Sequence, residues 1–228
     1  MLGIDIKRLV IALLFFGAFF ASCTTNRGFV STVKRAEIQQ MQQFEPLTLI
    51  GVVEENDRVA YSDSLTKIAQ GLFEKALSKD ETLPVTGKIV IEDSAIYNRV
   101  QYEIYMVMRY VGGRVRVESI PIPPTIDSIL ESQNERFGLL AYCHGFVRTD
   151  DNYDKEFSKG AVISLLTLGT YTRLPYKYMT QGGIVIVDSQ NNNIAFLNDE
   201  RYNYHPLKES TYQKLMIGLV RIFRKRYY

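Results

Sequence analysis

Seven apolar residues, Leu65, Ile68, Ala69, Leu72, Phe73, Ala76 and Leu77, stand at i, i+3, i+4, i+7, i+8, i+11 and i+12. At 3.6 residues per turn that spacing collects them on one side of an α-helix. Ser62 or Asp63 is placed to cap its start. A helix with one apolar side needs a second surface to bury it, and the flanking sequence offers strands. Leu47–Val53 is a short apolar run rich in β-formers, and Lys88–Ile91 begins a second.

Further along, residues 94–111 fit two periodicities. Val100, Tyr102, Ile104, Met106, Met108 and Tyr110 alternate like a strand, whereas Ile96, Val100, Ile104, Val107, Met108 and Val111 share a helical face. Asp93 or Ser94 as a cap and Gly112-Gly113 as a stop favour the helix; a hairpin turning at the two glycines is the alternative. Arg114–Ser119 alternates as a short strand. Pro121, Pro123 and Pro124 break the chain, and Thr125 starts a short helix burying Ile126, Ile129 and Leu130. Gly138–Val147 reads as a strand. Ile184–Val187 and Ile194–Leu197 flank the polar stretch 188–193 and form a hairpin. After Pro206, Tyr212, Leu215, Met216, Leu219, Val220 and Phe223 share the face of a closing helix.

Strands and helices that mix in this order need one sheet with helices packed on it. The expected class is therefore α/β (α+β), a single domain with a mixed, partly antiparallel sheet. Its bounds are residues 47–228, behind a tether over 23–46 with four glutamines among residues 39–43. The 27 Lys+Arg against 25 Asp+Glu leave no basic footprint for nucleic acid. Trp is absent, but 15 Tyr and 12 Phe suit a strand-containing domain with amphipathic surface contacts.

The chain opens with Lys7 and Arg8, then an apolar run from Leu9 to Phe20 that ends in Phe20-Ala21-Ser22-Cys23. The run is shorter than the ~20 residues a spanning helix needs and suits a signal-peptide core. Small residues before a cysteine resemble the lipobox of bacterial lipoproteins. That resemblance implies a signal peptide over 1–22, cleavage before Cys23, and a thiol that accepts diacylglycerol, with palmitate among the fatty acids. The other reading is an ordinary signal peptide with an incidental cysteine. Thr24-Thr25-Asn26-Arg27-Gly28 follows, without an adjacent Asp or an early acidic run. By resemblance, the mature protein is anchored in outer-membrane lipid through Cys23 and faces the periplasm. Cys143 is then the sole remaining thiol, so no intrachain disulfide forms.

The order of elements also resembles the periplasmic domain of the curli-secretion channel lipoproteins and the related lipoprotein activators of penicillin-binding proteins. The resemblance runs over residues 47–226. It rests on Leu47–Val53, Leu65–Leu77, Gly138–Val147, the arm Ile184-Val185-Ile186-Val187-Asp188 with Asn191–Phe196, and Leu207–Phe223. Ala195-Phe196 stands where that group often has Trp, and residues 94–136 have no counterpart. No functional residue carries over. The channel version has two membrane-spanning hairpin segments, for which this chain offers at most one.

Chemistry is sparse. Cys143 and His144 are adjacent and, on a strand, point to opposite faces, which suits a core thiol beside a half-exposed imidazole. His205-Pro206 reads as a helix lead-in. Asp150, Asp151 and Asp154 lack the Gly and distal Glu of a calcium loop and read as a solvated turn. No phosphate loop, hydrolase elbow or zinc spacing is present, so neither cofactor nor metal is expected and the expected role is non-enzymatic.

Two segments remain. Gly160–Thr170 is apolar, too short for a membrane helix and, with Leu165-Leu166, not alternating. It is either a buried piece of the core or an exposed contact for a partner or membrane through Leu165, Leu166, Leu168 and Tyr171. The basic end, Arg221 to Arg226, complements a helix dipole or attracts anionic lipid headgroups or wall polymer. The expected work is binding to or regulating an envelope protein machine for cell-wall synthesis or secretion. The alternative is a subunit of an oligomeric channel or scaffold.

Overall fold

In the computed structural model, residues 30–31, 33–111, 120–172 and 174–225 are described. Eight strands form one mixed sheet: β1 Val30–Ser31, β2 Met41–Gln43, β3 Leu47–Val53, β4 Val59–Tyr61, β5 Val85–Lys88, β6 Phe137–Arg148, β7 Tyr178–Asp188 and β8 Asn193–Tyr202. Among the described residues five α-helices accompany them: α1 Asp63–Ser78, α2 Ser94–Val111, α3 Pro124–Ser132, α4 Asp150–Leu166 and α5 Glu209–Lys225.

β6 organises the sheet. On one side it pairs antiparallel with β7 along its length, Phe137 to Asp188 through Val147 to Tyr178. Its other edge is shared in series. β2 runs parallel to it at Gly138 and Leu139, and β3 at Tyr142 to Arg148. Phe44 N–H still reaches Leu139 O at 3.0 Å, and Pro46 then ends donation before β3 begins. β2 continues to β5, β3 to β4, and β7 through β8 to β1.

Both faces of β6 and β7 are covered, so these strands read as near-continuous apolar runs. On one face Phe73 of α1 and Tyr212, Leu215, Leu219 and Phe223 of α5 pack on Leu139, Ala141, Cys143, Ile184 and Ile186. On the other, Val100, Ile104 and Val107 of α2 and Ile126 and Leu130 of α3 pack on Leu140, Tyr142, Val185 and Val187. The result is a helix–sheet–helix sandwich of the expected mixed class. Tyr142 lies opposite Gly183, and a Cβ at that glycine would collide with the phenol ring.

Helix caps match the sequence signals. Ser62 Oγ accepts from Leu65 N–H at 3.4 Å, and Asp93 Oδ1 accepts from Ala95 and Ile96 N–H at 2.7 and 3.1 Å. Residues 94–111 are therefore a helix, not a hairpin. α3 takes its cap from outside its own segment: the buried Glu103 of α2 accepts from Thr125 and Ile126 N–H at 3.2 and 3.1 Å. Pro124 at the first helical turn has no N–H to satisfy.

Four readings need correction. The tether does not extend to residue 46, because β1, β2 and the buried Val33, Ile38, Met41 and Phe44 belong to the packed unit. Glutamine content hid β2: its middle residue, Gln42, points out and bonds Glu135 at 3.0 Å, while Gln43 is buried. The second strand runs over Val85–Lys88 rather than Lys88–Ile91, since its register is set by β2 at Met41 to Gln43. Asp150, Asp151 and Asp154 form the first turns of a helix, where acidic side chains favour the dipole, rather than a solvated turn. Finally, Gly160–Thr170 is not core. The strand read over Arg114–Ser119 lies outside the described residues, apart from which β1, β2 and β4 are additional to those expected.

Candidate functional site

The most distinctive surface is the arm formed by α4 and the chain that returns from it to β7. Its base is clamped. Thr149 ends β6, its N–H donating to Val53 O at 3.2 Å, and its Oγ1 caps α4 through Asn152 N–H at 3.4 Å. Asn152 is buried, donating Nδ2–H to Glu54 O at 2.9 Å and accepting from Arg148 Nη1 at 2.6 Å. Arg148 also reaches Asp57 Oδ1 at 2.6 Å and Tyr176 O at 3.1 Å. Its hydrogen bond holds the Asp57 carboxyl below its ordinary value. Lys177 closes the other side on Asp150 at 2.6 Å and lies 5.6 Å from the Tyr153 ring. Two chain segments thus leave and return through one polar knot.

Beyond the knot α4 buries almost nothing. Only Asn152 and Gly160 are buried along its 17 residues. Among residues 161–166 only Ser164 is even part-buried. Leu165 is 77% exposed, Leu166 78%, Leu168 91% and Tyr171 52%. Leu165 and Leu168 line a shallow apolar dish of about 490 Å³ together with Phe157, Ala161 and Leu174. Leu166 lies on the last helical turn outside that dish. Tyr171 follows in the return turn, its N–H donating to Thr167 Oγ1 at 3.3 Å. Thus the structure brings two of the four expected contact residues into one concavity and keeps the other two beside it.

Phe157 and Leu174 were not foreseen. The signal was present: Phe157, Ala161, Ser164, Leu165 and Leu168 stand at i, i+4, i+7, i+8 and i+11. It was hidden because Val162, Ile163 and Leu166 fill the other sides. The helix is apolar all round its end rather than along one stripe.

The helix end is unusual. Gly169 N–H donates to Ser164 O at 2.8 Å and Leu168 N–H to Leu165 O at 3.1 Å, the two bonds of a Schellman motif. The residue that must adopt the left-handed conformation is Leu168, at φ +50, followed by Gly169 at +79. A leucine is placed where glycine is preferred, with its side chain outward.

Cys23 lies outside the described residues. Cys143 is fully buried on the α1/α5 side of the sheet, its thiol 3.9 Å from Tyr212 Oη, and burial pushes its pKa up to about 12. His144 points to the opposite face, part-buried, and burial lowers its pKa. Cys143 and His144 therefore do not form a nucleophile–base pair. His205 leads into α5 as expected, its Nδ1 accepting from Leu207 N–H at 3.2 Å. A cleft of about 200 Å³ between α1 and α2 is lined by groups that satisfy one another, Tyr97 Oη donating to Glu45 Oε1 at 2.9 Å. Among the described residues no cluster of His, Cys, Asp and Glu is arranged to hold a metal, and no helix is long and apolar enough to cross a membrane.

No protein-family profile and no curated protein matches the chain. Solved structures similar to it include a PelC dodecamer from Paraburkholderia phytofirmans, 9% identical, covering 85% of this chain and 92% of that chain with a TM-score of 0.37. Another PelC dodecamer from the same organism is 8% identical, covering 85% and 91% with a TM-score of 0.35. Lipoprotein GNA1162 from Neisseria meningitidis is 9% identical, covering 83% and 99% with a TM-score of 0.33.

Proposed function

We propose that this chain is an outer-membrane lipoprotein whose α/β domain acts in the periplasm as a non-enzymatic contact module. In this reading Cys23 carries the lipid, and the domain docks onto or regulates an envelope machine for cell-wall synthesis or secretion. The observation that carries the reading is the α4 arm. A chain that buries both faces of its sheet leaves one 17-residue helix with its apolar end uncovered. An apolar surface of that kind marks a contact rather than a packing element.

The test has two parts. Cells expressing the wild-type chain should incorporate labelled palmitate into it, and Cys23→Ala should abolish the label and leave uncleaved precursor. In-cell crosslinking with mass spectrometry should then join the domain to a synthase or secretion component. Unchanged labelling in Cys23→Ala would remove the lipoprotein reading. A heat-stable oligomer in detergent with conductance in planar bilayers would replace the adaptor by the channel or scaffold subunit.

A further inference from the structure

The residues of the α4 arm are graded along the helix axis. Asp150, Asp151, Asp154, Lys155 and Glu156 occupy the base, and Lys159 follows. From Gly160 to Thr172 the sequence has no charged residue. A helix that docks sideways on a protein groove, or lies flat on a membrane, is amphipathic around its axis. This one is polar at its base and, at its end, apolar on every side but that of Ser164, where the return chain closes on it through Thr172, with Val162, Ile163, Leu165 and Leu166 all exposed. A surface exposed over most of its circumference fits a medium better than a groove.

The anchor comes from the same end of the sheet. β1 is antiparallel to β8, Val30 opposite Leu197 and Ser31 opposite Phe196. The chain therefore enters β1 from the Tyr202 end of β8. Tyr202 lies opposite Thr180, and Val147 opposite Tyr178, so the end from which α4 departs after Arg148 is that same end. Cys23 precedes Val30 by seven positions. A fully extended chain of that length spans at most ~25 Å. α4 is itself about 26 Å long at 1.5 Å per residue. A lipid on Cys23 thus holds Val30 within one helix length of the bilayer, and the chain between them leaves β1 toward the end of the sheet from which the arm departs. Tyr171 is exposed in the return turn beside the tip, and tyrosine favours the headgroup level.

We propose that the tip of α4, residues Val162 to Leu168, inserts end-on into the surface of the bilayer that holds the lipidated Cys23. Insertion fixes the domain's orientation on the membrane and leaves the polar remainder of its surface to the envelope partner. This rests on lipidation at Cys23, and it adds a second membrane contact to that anchor.

The test uses the full mature lipoprotein reconstituted in vesicles of phosphatidylethanolamine and phosphatidylglycerol. An environment-sensitive fluorophore is attached at Leu166→Cys, at Leu168→Cys, or, as a control, at Gln190→Cys. Gln190 is exposed in the β7–β8 turn, at the opposite end of the sheet. The 166 and 168 probes should shift to the blue and lose most of their quenching by aqueous iodide. The 190 probe should do neither. Leu165→Asp should restore iodide quenching of the 166 probe. Equal quenching at 166, 168 and 190 in lipid-bound protein would overturn tip insertion while leaving the anchor standing. Photocrosslinking from residue 166 in the vesicles to a second polypeptide instead of to lipid would also overturn it. A chain that carries no fatty acid and does not stay with the vesicles would instead remove the anchoring reading.

Discussion

Arg136 grips both oxygens of the buried Asp188 carboxylate, Nε to Oδ1 at 2.9 Å and Nη2 to Oδ2 at 2.7 Å. The same carboxylate accepts from Gln190 N–H at 3.1 Å and from Asn191 Nδ2 at 2.8 Å. One side chain therefore ties the β7–β8 turn to the start of β6. Asp188→Asn removes the charge but keeps an oxygen for the turn, and should cost ~1.5–3 kcal/mol in denaturant melts, the range for hydrogen bonds to charged groups. A loss under ~0.5 kcal/mol, the surface-substitution level, would show that the pair contributes nothing.

The same site predicts a pH dependence. Burial pushes the Asp188 carboxyl up, but the hydrogen bonds from Arg136 and Asn191 outweigh it and hold it below its usual value. A depressed folded value means that the unfolded chain binds the proton first as pH falls. The contribution is complete above the unfolded carboxylate value near ~4 and is lost as pH drops through the folded value. Stability measured from pH 6 down to pH 2 should fall less steeply below about pH 4 in Asp188→Asn than in the wild type. Parallel curves would contradict the assignment.

The first helix gives a graded test of packing. Phe73 is fully buried against Tyr212 with ring centroids 5.8 Å apart, whereas Ile68 is 52% exposed and Leu72 half-buried. Phe73→Ala should cost ~3–5 kcal/mol, and Leu72→Ala about 1–2, less than a full core truncation. Ile68→Ala should stay within ~0.5 kcal/mol. The apolar stripe identified the inward face, but its outermost member reaches past the edge of the sheet.

The sequence made legible those elements whose apolar residues repeat with one period. α1 and α5 each show a single stripe, and the β7–β8 hairpin brackets a polar turn, so all three were anticipated. α2 was settled by its ends, Asp93 and the two glycines, rather than by its ambiguous interior. α4 was missed because apolar residues on its other sides mask the spacing of Phe157, Ala161, Leu165 and Leu168: its base is held by Thr149, which accepts from Asn152 N–H, and by Asn152, whose partners Glu54 and Arg148 come from the ends of strands. β2 was missed because strand pairing needs backbone, and its glutamines disguise it. The expected contact residues were chosen from apolar content alone. Their exposure depended on three-dimensional placement, for the same run of residues would serve equally well as core.

Asn152→Ala should loosen the arm without unfolding the domain. It removes the link from α4 to Glu54 O and to Arg148, while the two helix–sheet cores lie elsewhere. Amide exchange should accelerate across residues 153–166 and stay unchanged in β6 and β7, the behaviour of a locally opening unit. Uniform acceleration over the whole domain would show instead that the arm is part of the global cooperative unit.

Thiol counting separates the two cysteines. In the native protein Cys143 is shielded and burial holds its thiol near 12, far above the pH of an aqueous alkylation assay, so no thiolate is presented. Cys23, once acylated, has no free thiol. Native protein at pH 8 should therefore react with no alkylating reagent, and denatured protein with one equivalent per chain, at Cys143. Two equivalents after denaturation would mean that Cys23 is unmodified. Fast reaction of the folded protein at Cys143 would contradict its burial.

Leu168 and Gly169 predict opposite responses to exchanging side chains at the helix end. Leu168 occupies the left-handed region at φ +50, where a Cβ crowds the following carbonyl at a cost of ~1–2 kcal/mol. Leu168→Gly removes that crowding but gives the unfolded chain more freedom, which takes back ~0.5–1 kcal/mol. The net effect should be a gain of about 0.5–1 kcal/mol in local stability, since the side chain is 91% exposed and gives up little packing in the free chain. Gly169→Ala places a Cβ at φ +79 and should weaken the same turn. The readout is amide exchange at residues 168 and 169, whose N–H groups bond Leu165 O and Ser164 O. Leu168→Gly should slow that exchange and Gly169→Ala should speed it. Slower exchange together with weaker protection of the residue-166 fluorophore in vesicles would separate what Leu168 does for the fold from what it does at the bilayer. If Leu168→Gly frays the turn instead, the leucine stabilises its own helix end and its exposure is not a sign of contact.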